Sequence, residues 1–329
     1  MKALVTGASG FVGGAVLRFL VGQGVEARVL ARPGADGANW ESLPVEMVSG
    51  DLQDAGSLRR AVQGCRWVFH VAADYRLWVP DPVSMYASNV GGTEQLVRAA
   101  LDAGAERIVY TSSVAVLGFY GDERPSDENA QARLEDMIGH YKRSKYLAEE
   151  RVRRLCTEEG APVVIVNPST PIGPADRKPT PTGRLVRDAA AGKMPAYVDT
   201  GLNVVHVDDV AAGHWLALQK GETGRRYILG GDNLPLAAIL TRIAGLTGRP
   251  SPRWRIPRRS LYPMAWAGEK WIRWRGHGTP LVTMDELRMA AHHMYFTSER
   301  AENELGYLHR PAEEALRDAV AWFAGHGYF

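Results

Sequence analysis

Short apolar runs alternate with amphipathic stretches through the first half of the chain. Ala3-Leu4-Val5 is apolar and brief, and Ala15–Val21 follows with its apolar residues on helical spacing, ended by Gly22 and Gly24. The unit then repeats. Glu26–Arg32, Val45–Leu52, Trp67–Ala73, Arg107–Ser113 and Val163–Pro168 read as strands, and residues 54–63, 82–103 and 141–159 as helices between them. Trp67–Ala73 is apolar almost throughout, as a strand covered on both faces is. The alternation of strand and helix predicts an α/β fold, a doubly wound parallel sheet.

The rhythm changes at Pro168. Residues 168–183 are rich in Pro, Thr and Gly and predict a loop crossing the carboxyl edge of the sheet. Val204–Val210 returns to strand and then helix, Arg226–Leu229 is one more strand, and from about residue 231 the pattern is of short helices. The expected division is a dinucleotide-binding Rossmann-type unit of residues 1–168, with 202–230 returning to it. A smaller, mostly helical substrate unit takes 169–201 and 231–329. The polar stretch 121–138 is expected to be a lid.

Composition narrows the class. Hydrophobic residues make up 45% and charged residues 23% of the 329, with a net charge of +2, so nothing calls for a nucleic-acid partner. Met1-Lys2 leads straight into the first strand, which leaves no room for a signal peptide, and no apolar run is long enough to span a membrane. Cys65 and Cys156 lie far apart and read as reduced thiols. A cytoplasmic protein without a metal site is expected.

The candidate chemistry starts at Thr6-Gly7-Ala8-Ser9-Gly10-Phe11-Val12-Gly13, between the first strand and first helix. Gly7 permits a tight turn, Gly10 lets backbone approach a pyrophosphate, and Gly13 lets the helix pack closely on the strand. The phosphates then meet the free N–H groups of the helix start. At the end of the second strand, an acid would suit the ribose hydroxyls of NAD(H) and a base the 2′-phosphate of NADP(H). The chain has Arg32, which favours NADP(H), with NAD(H) as the alternative. Asp51, after the third strand, can accept from an adenine amino group or cap the next helix. His70 reads as a packed core histidine. Tyr141 and Lys145, one helical turn apart, share a face, and a lysine held beside a phenol favours phenolate. Such a tyrosine exchanges a proton with a carbinol or carbonyl. Ser113, with Ser112 in reserve, is placed to hold the same substrate oxygen.

These motifs, with Asn89 in Asn-Val-Gly-Gly-Thr and Val205–Val210, together resemble the extended short-chain dehydrogenase/reductase family over essentially the whole chain. Val68–Ala73 and Arg32 are most similar to its dihydroflavonol-4-reductase branch. Residues 167–174, 178–183 and 195–203 resemble the bacterial hopanoid-associated sugar epimerases. The resemblance implies that Thr6, Ser9, Phe11 and Val12 join the glycines in the phosphate turn. It places Asp51 and Leu52 at the adenine, Ala72, Ala73 and Ser112 along the cofactor cleft, and Tyr141, Lys145, Pro168 and Ser169 around the nicotinamide and its ribose. It also implies a role near hopanoid-lipid metabolism, on a small-molecule or lipid-linked substrate. Two departures count. Ser112-Ser113-Val114 lacks the acid pair of the sugar nucleotide dehydratases, and Val116-Leu117-Gly118 replaces the Val-Tyr-Gly of many sugar epimerases.

Three functions follow as expectations: an NADPH-dependent carbonyl reductase; an epimerase that oxidises transiently with a retained cofactor; and, from another class, a non-catalytic dinucleotide sensor. A homodimer is expected through helices 82–103 and 141–159, with Leu96, Val97 and Ala100 suited either to that contact or to the sheet. Residues 252–277 stand apart. They carry seven Lys/Arg and one Asp/Glu, a balance of +6 against −4 for the rest, and four of nine tryptophans. In a helix over 258–274, Leu261, Met264, Ala265, Gly268 and Ile272 would pack on the protein, opposite Arg259, Tyr262, Trp266, Lys270 and Arg273. The simpler reading has the tryptophans packed inside and the arginines solvated; the other is a peripheral membrane contact.

Overall fold

The computed structural model describes residues 1–79, 81–120 and 124–329. In chain order it runs β1 (Lys2–Thr6), α1 (Phe11–Gly22), β2 (Glu26–Ala31), β3 (Val45–Ser49), α2 (Ala55–Val62), β4 (Trp67–His70), α3 (Val83–Tyr86), a π-helical segment (Ala87–Gly92), α4 (Thr93–Asp102), β5 (Arg107–Thr111), α5 (Gly139–Glu159), β6 (Val163–Pro168) and β7 (Thr170–Ile172). It continues with α6 (Pro181–Ala190), β8 (Ala196–Tyr197), β9 (Gly201–His206), α7 (Val207–Lys220), β10 (Arg226–Leu229), β11 (Asp232–Pro235), α8 (Leu236–Thr247), β12 (Trp254–Arg255), α9 (Tyr262–Arg275), α10 (Met284–Met289), α11 (Glu299–Leu305) and α12 (Ala312–Gly325).

The main sheet has seven parallel strands in the order β10-β6-β5-β4-β1-β2-β3. The apolar runs conceal an alternation that the fold makes visible. Ala3, Val5, Val109, Val164 and Val166 face a core built with α1, α7 and α11. Leu4, Ile108, Tyr110, Val163 and Ile165 face the opposite core, built with α2, α4 and α5. Both faces of the central strands are covered, so successive positions in them are mostly apolar. The strand order reverses between β1 and β4, which opens a crevice at their carboxyl ends.

A second, three-stranded sheet, β11-β9-β7, packs with α6, α8 and α12 around Val186, Ile239, Leu316 and Phe323. Val204–His206 therefore belongs to the small sheet, while α7 and β10 rejoin the large one. At that changeover Asp209 accepts from the Arg310 backbone at 2.8 Å and from its guanidinium at 2.9 Å, which ties the C-terminal segment to α7.

Several expectations change. The third and fourth strands stop at Ser49 and His70, so Gly50–Leu52 and Val71–Ala73 are loops beyond the sheet edge. The long helix of 82–103 is broken by its π-helical segment. Leu96, Val97 and Ala100 are fully buried against the sheet, which leaves them no part in a contact between copies. Residues 124–138 are no lid. Ser126 pairs with Phe296, Glu128 Oε1 accepts the Ile228 N–H at 2.8 Å, and none of them lines the central cleft. Residues 121–123 of that stretch lie outside the described residues. Cys65 and Cys156 are free thiols, and burial pushes both thiol pKa values up.

Gly7 has φ +77°, and a Cβ on Gly13 would lie 2.1 Å from the Gly7 carbonyl oxygen. Helix α1 touches the turn at that point, backbone to backbone. On Gly10 a Cβ would come no nearer than 3.2 Å, to the same oxygen. Gly13→Ala should therefore cost about 1–3 kcal/mol of stability or more, and Gly10→Ala less than about 1, in urea unfolding. Equal losses would contradict this packing.

Candidate active site

The crevice is part of a cleft of about 990 Å³ that runs from the phosphate turn to the small unit. Thr6, Gly7, Ser9, Gly10, Phe11, Val12, Gly13, Arg32, Asp51, Leu52, Ala72, Ala73, Ser112, Ser113, Tyr141, Lys145, Pro168 and Ser169 all line it. Folding brings together every residue that the sequence put forward.

At one end, Gly10 is the N-cap of α1, and no side chain caps the helix. Its first-turn N–H groups thus remain open to an anion. Asn39 braces the turn from behind, donating to the carbonyls of Ala8 at 3.0 Å and Gly10 at 3.3 Å. Nothing in the sequence singled Asn39 out, because it sits in an irregular loop with no motif around it. Arg32 is exposed on the cleft lip, with no ion pair among the described residues. The nearby Asp36 accepts instead from the Ala38 N–H at 3.1 Å and stays off the cleft wall. The Asp51 carboxylate accepts from Gln53 N–H at 2.9 Å, and the cap of α2 is Asp54, accepting from Gly56 N–H at 2.9 Å. Asp51 is thus no helix cap, because Asp54 stands directly before the first helical residue.

A buried polar chain joins this end to the other. Ala72 N–H donates to Thr6 Oγ1 at 3.1 Å, and Thr6 Oγ1 meets His70 Nδ1 at 2.9 Å. His70 Nε2 meets Thr93 Oγ1 at 2.8 Å, which donates to the Asn89 carbonyl at 2.7 Å. The outer donors set the direction: Nδ1 accepts and Nε2–H donates. Burial pushes the imidazole down to about 3, so it stays neutral. Asn89, in the π-helical segment, donates to Ser144 Oγ at 2.9 Å, and Ser144 donates to the Tyr141 carbonyl at 2.8 Å. Asn89 Oδ1 also accepts the Asp74 N–H at 2.7 Å, which shapes the loop after β4.

Tyr141 stands in the first turn of α5. Its phenol lies beside the Ser113 side chain, and its ring packs edge-on against Tyr75, with centroids 4.5 Å apart. Ser113 Oγ also accepts the Ala115 N–H at 3.1 Å, which orients it. Lys145 donates to the Thr111 carbonyl at 2.7 Å and to the Tyr110 hydroxyl at 3.0 Å. This overturns one expectation. Burial holds the Tyr141 phenol well above its ordinary value, and Tyr75 adds to the effect. The same burial pushes Lys145 down to about 7. Taking both groups out of water disfavours each charged form, and the ammonium is turned to β5 rather than to the phenol. The Tyr141 phenol consequently keeps its proton in this state. Tyr75 and Lys142, which also line the cleft, were missed; burial pushes Lys142 down to about 8.

Do these residues fit a dinucleotide? Ser112 Oγ and Ser169 Oγ are buried without a hydrogen-bond partner, both on the cleft. Orphaned hydroxyls beside Tyr141 and Lys145, an uncapped helix start and an unpaired Arg32 form one donor set for a phosphate-bearing polar ligand.

Comparison with known proteins agrees with that geometry. The NAD dependent epimerase/dehydratase family matches residues 3–230. A Synechocystis protein named for dihydroflavonol 4-reductase is 46% identical over 328 residues, covering 98% of this chain and 95% of its own. Sterol demethylase protein B of Methylococcus capsulatus is 34% identical over 328 residues, covering 99% of each. The crystal structure of gox2253 superposes with a TM-score of 0.90 at 50% identity, covering 100% of this chain and 99% of that one.

The Lys145 ammonium loses its proton as pH rises through about 7. If it helps hold the cofactor, affinity should be highest below that pH and weaken above it. Fluorescence titration with NADPH across this range should show the inflection, and Lys145→Met should remove it. An unchanged pH profile in the variant would separate Lys145 from cofactor binding.

Proposed function

Because the chain belongs to the NAD-dependent epimerase/dehydratase family, we propose that it is an NADPH-dependent reductase of a ketone or aldehyde carried on an apolar, lipid-like framework. One observation carries this reading. The substrate half of the cleft is walled by Leu185, Val198, Leu202, Leu236, Met289 and Met294. No Lys or Arg from residues 168–329 is among the described residues that line it, and Arg76, on the loop after β4, is paired with Asp74. A sugar nucleotide brings a diphosphate that needs cations there; a hydrocarbon framework needs none. Glu286, the one acid on that wall, is occupied in capping α10 through Thr283. The sterol-demethylase relative supports a polycyclic lipid context, and with it the hopanoid-related role to which the sequence resemblance pointed.

The Gly7–Gly13 turn would hold the pyrophosphate and Arg32 the 2′-phosphate, while Asp51 and Leu52 would flank the adenine. Ser112, Lys145, Pro168 and Ser169 would surround the nicotinamide end. When bound, the cofactor supplies a hydride to the carbonyl carbon. The chain's own task is the proton. Tyr141 Oη donates it to the carbonyl oxygen, which the Ser113 hydroxyl holds by a hydrogen bond. A phenol kept protonated by burial is suited to that direction, and an epimerase needs the same group as a base first.

Arg32→Ala should weaken NADPH binding more than NADH binding, measured side by side by titration; equal losses would deprive Arg32 of its role. Tyr141→Phe should cost at least ~100-fold in turnover and leave cofactor affinity nearly intact. A screen of ketones and aldehydes on apolar frameworks should show one NADPH consumed per product. Inversion of a carbinol centre with no net cofactor change would establish an epimerase instead.

A further inference from the structure

The face of α9 has no use in the reaction and is unlike the rest of the surface. Ala265 is its only buried residue. Trp254, Trp266, Trp271 and Trp274 are 73%, 58%, 57% and 78% exposed, so the packed-tryptophan reading fails. Met264, expected on the packed side, is also exposed, and so is Leu281 just beyond the helix. Leu261, Gly268 and Ile272 are half-buried, and so is Tyr262, expected on the opposite face. The Trp271 and Trp274 rings lie 5.2 Å apart, at the outer end of the helix. Arg253, Arg259 and Lys270 have no ion pair among the described residues, and Arg275 reaches only His277. Apolar rings and unneutralised cations thus share one surface.

We propose that this surface docks the protein on an anionic lipid membrane. Indole rings sit at headgroup depth, and cations beside them meet anionic headgroups. Charge decides against a second copy as the occupant: a two-fold contact would set a +6 segment against itself. Docking of this kind needs no spanning segment, and no helix among the described residues is long and apolar enough to cross a membrane.

The location adds to the argument. Glu269 of α9 accepts the Met284 N–H at 2.8 Å, which joins it to α10, whose Glu286 and Met289 line the cleft. Arg273 lies over the Trp78 ring at 5.3 Å, next to Leu77 on the cleft wall. Trp254–Arg255 pairs with Ala196–Tyr197, next to Val198 on the same wall. Each part of the patch is thereby attached to a wall of the apolar half of the cleft. A lipid-borne substrate could pass from bilayer to cleft with little exposure to water. This last step rests on the proposed function; the docking does not.

Co-sedimentation of the full chain with vesicles tests it. Binding to phosphatidylcholine vesicles containing phosphatidylglycerol is expected at low salt, weaker at physiological salt, with none to phosphatidylcholine alone. Tryptophan emission should shift to the blue on binding. Arg259→Glu with Lys270→Glu, and separately Trp271→Ala with Trp274→Ala, should each weaken binding at least ~10-fold. Thermal unfolding and turnover of a water-soluble carbonyl substrate should be unchanged in both. No binding to anionic vesicles at low salt, or binding indifferent to both pairs, would overturn the proposal. So would a concentration-dependent dimer abolished by the same variants. Vesicle binding needs no turnover, so its failure would leave the reductase reading standing, and the reverse also holds.

Discussion

The site depends on one buried line of hydrogen bonds with a neutral histidine at its centre. His70 is fully enclosed between Thr6 on β1 and Thr93 on α4. Through Asn89 and Ser144 the line ends on the backbone of Tyr141. It therefore joins the strand that leads into the phosphate turn to the helix that carries Tyr141. Each hydroxyl in it both receives and gives a bond, and of the two His70 ring nitrogens one accepts and the other donates, so no member is left with an unmet desolvation cost. The π-helical segment belongs to this arrangement. Its widened turn contains Asn89, whose amide serves both the loop after β4 and helix α5.

Burial also explains the electrostatics. The two ends of the cleft treat charge differently. At the phosphate turn, Arg32 lies in the open and the helix start is uncapped, so an anion meets donors that have not been spent. At the other end, Tyr141 and Lys145 are both held toward their neutral forms, because each is enclosed by protein. The same enclosure leaves the Ser112 and Ser169 hydroxyls without partners. Such costs are tolerable at a site whose ligand satisfies them and are hard to explain elsewhere. Beyond them the wall turns apolar, and the patch on α9 continues that apolar character outside the cleft.

Much was legible in the sequence, for local reasons. The alternation of apolar runs with helical periods follows from backbone geometry, and a parallel sheet covered on both sides requires those runs. The three glycines, Arg32, Tyr141 and Lys145 stood out because their chemistry depends on spacing within one turn or on the end of one strand. What tertiary structure alone decided involves contacts between distant segments. Asn39 behind the phosphate turn and Tyr75 against Tyr141 have no signature in local pattern. The supposed lid became a fixed crossing because Glu128 found the Ile228 backbone, a hundred residues away. Helix periodicity marks an apolar face but not what covers it. Leu96 and Val97 went to the sheet, and the tryptophans of α9 went to solvent. The pKa of Tyr141 moved against expectation for the same reason: spacing put Lys145 on its face of the helix, but only the packed structure determined how far water was excluded and which way the ammonium turned.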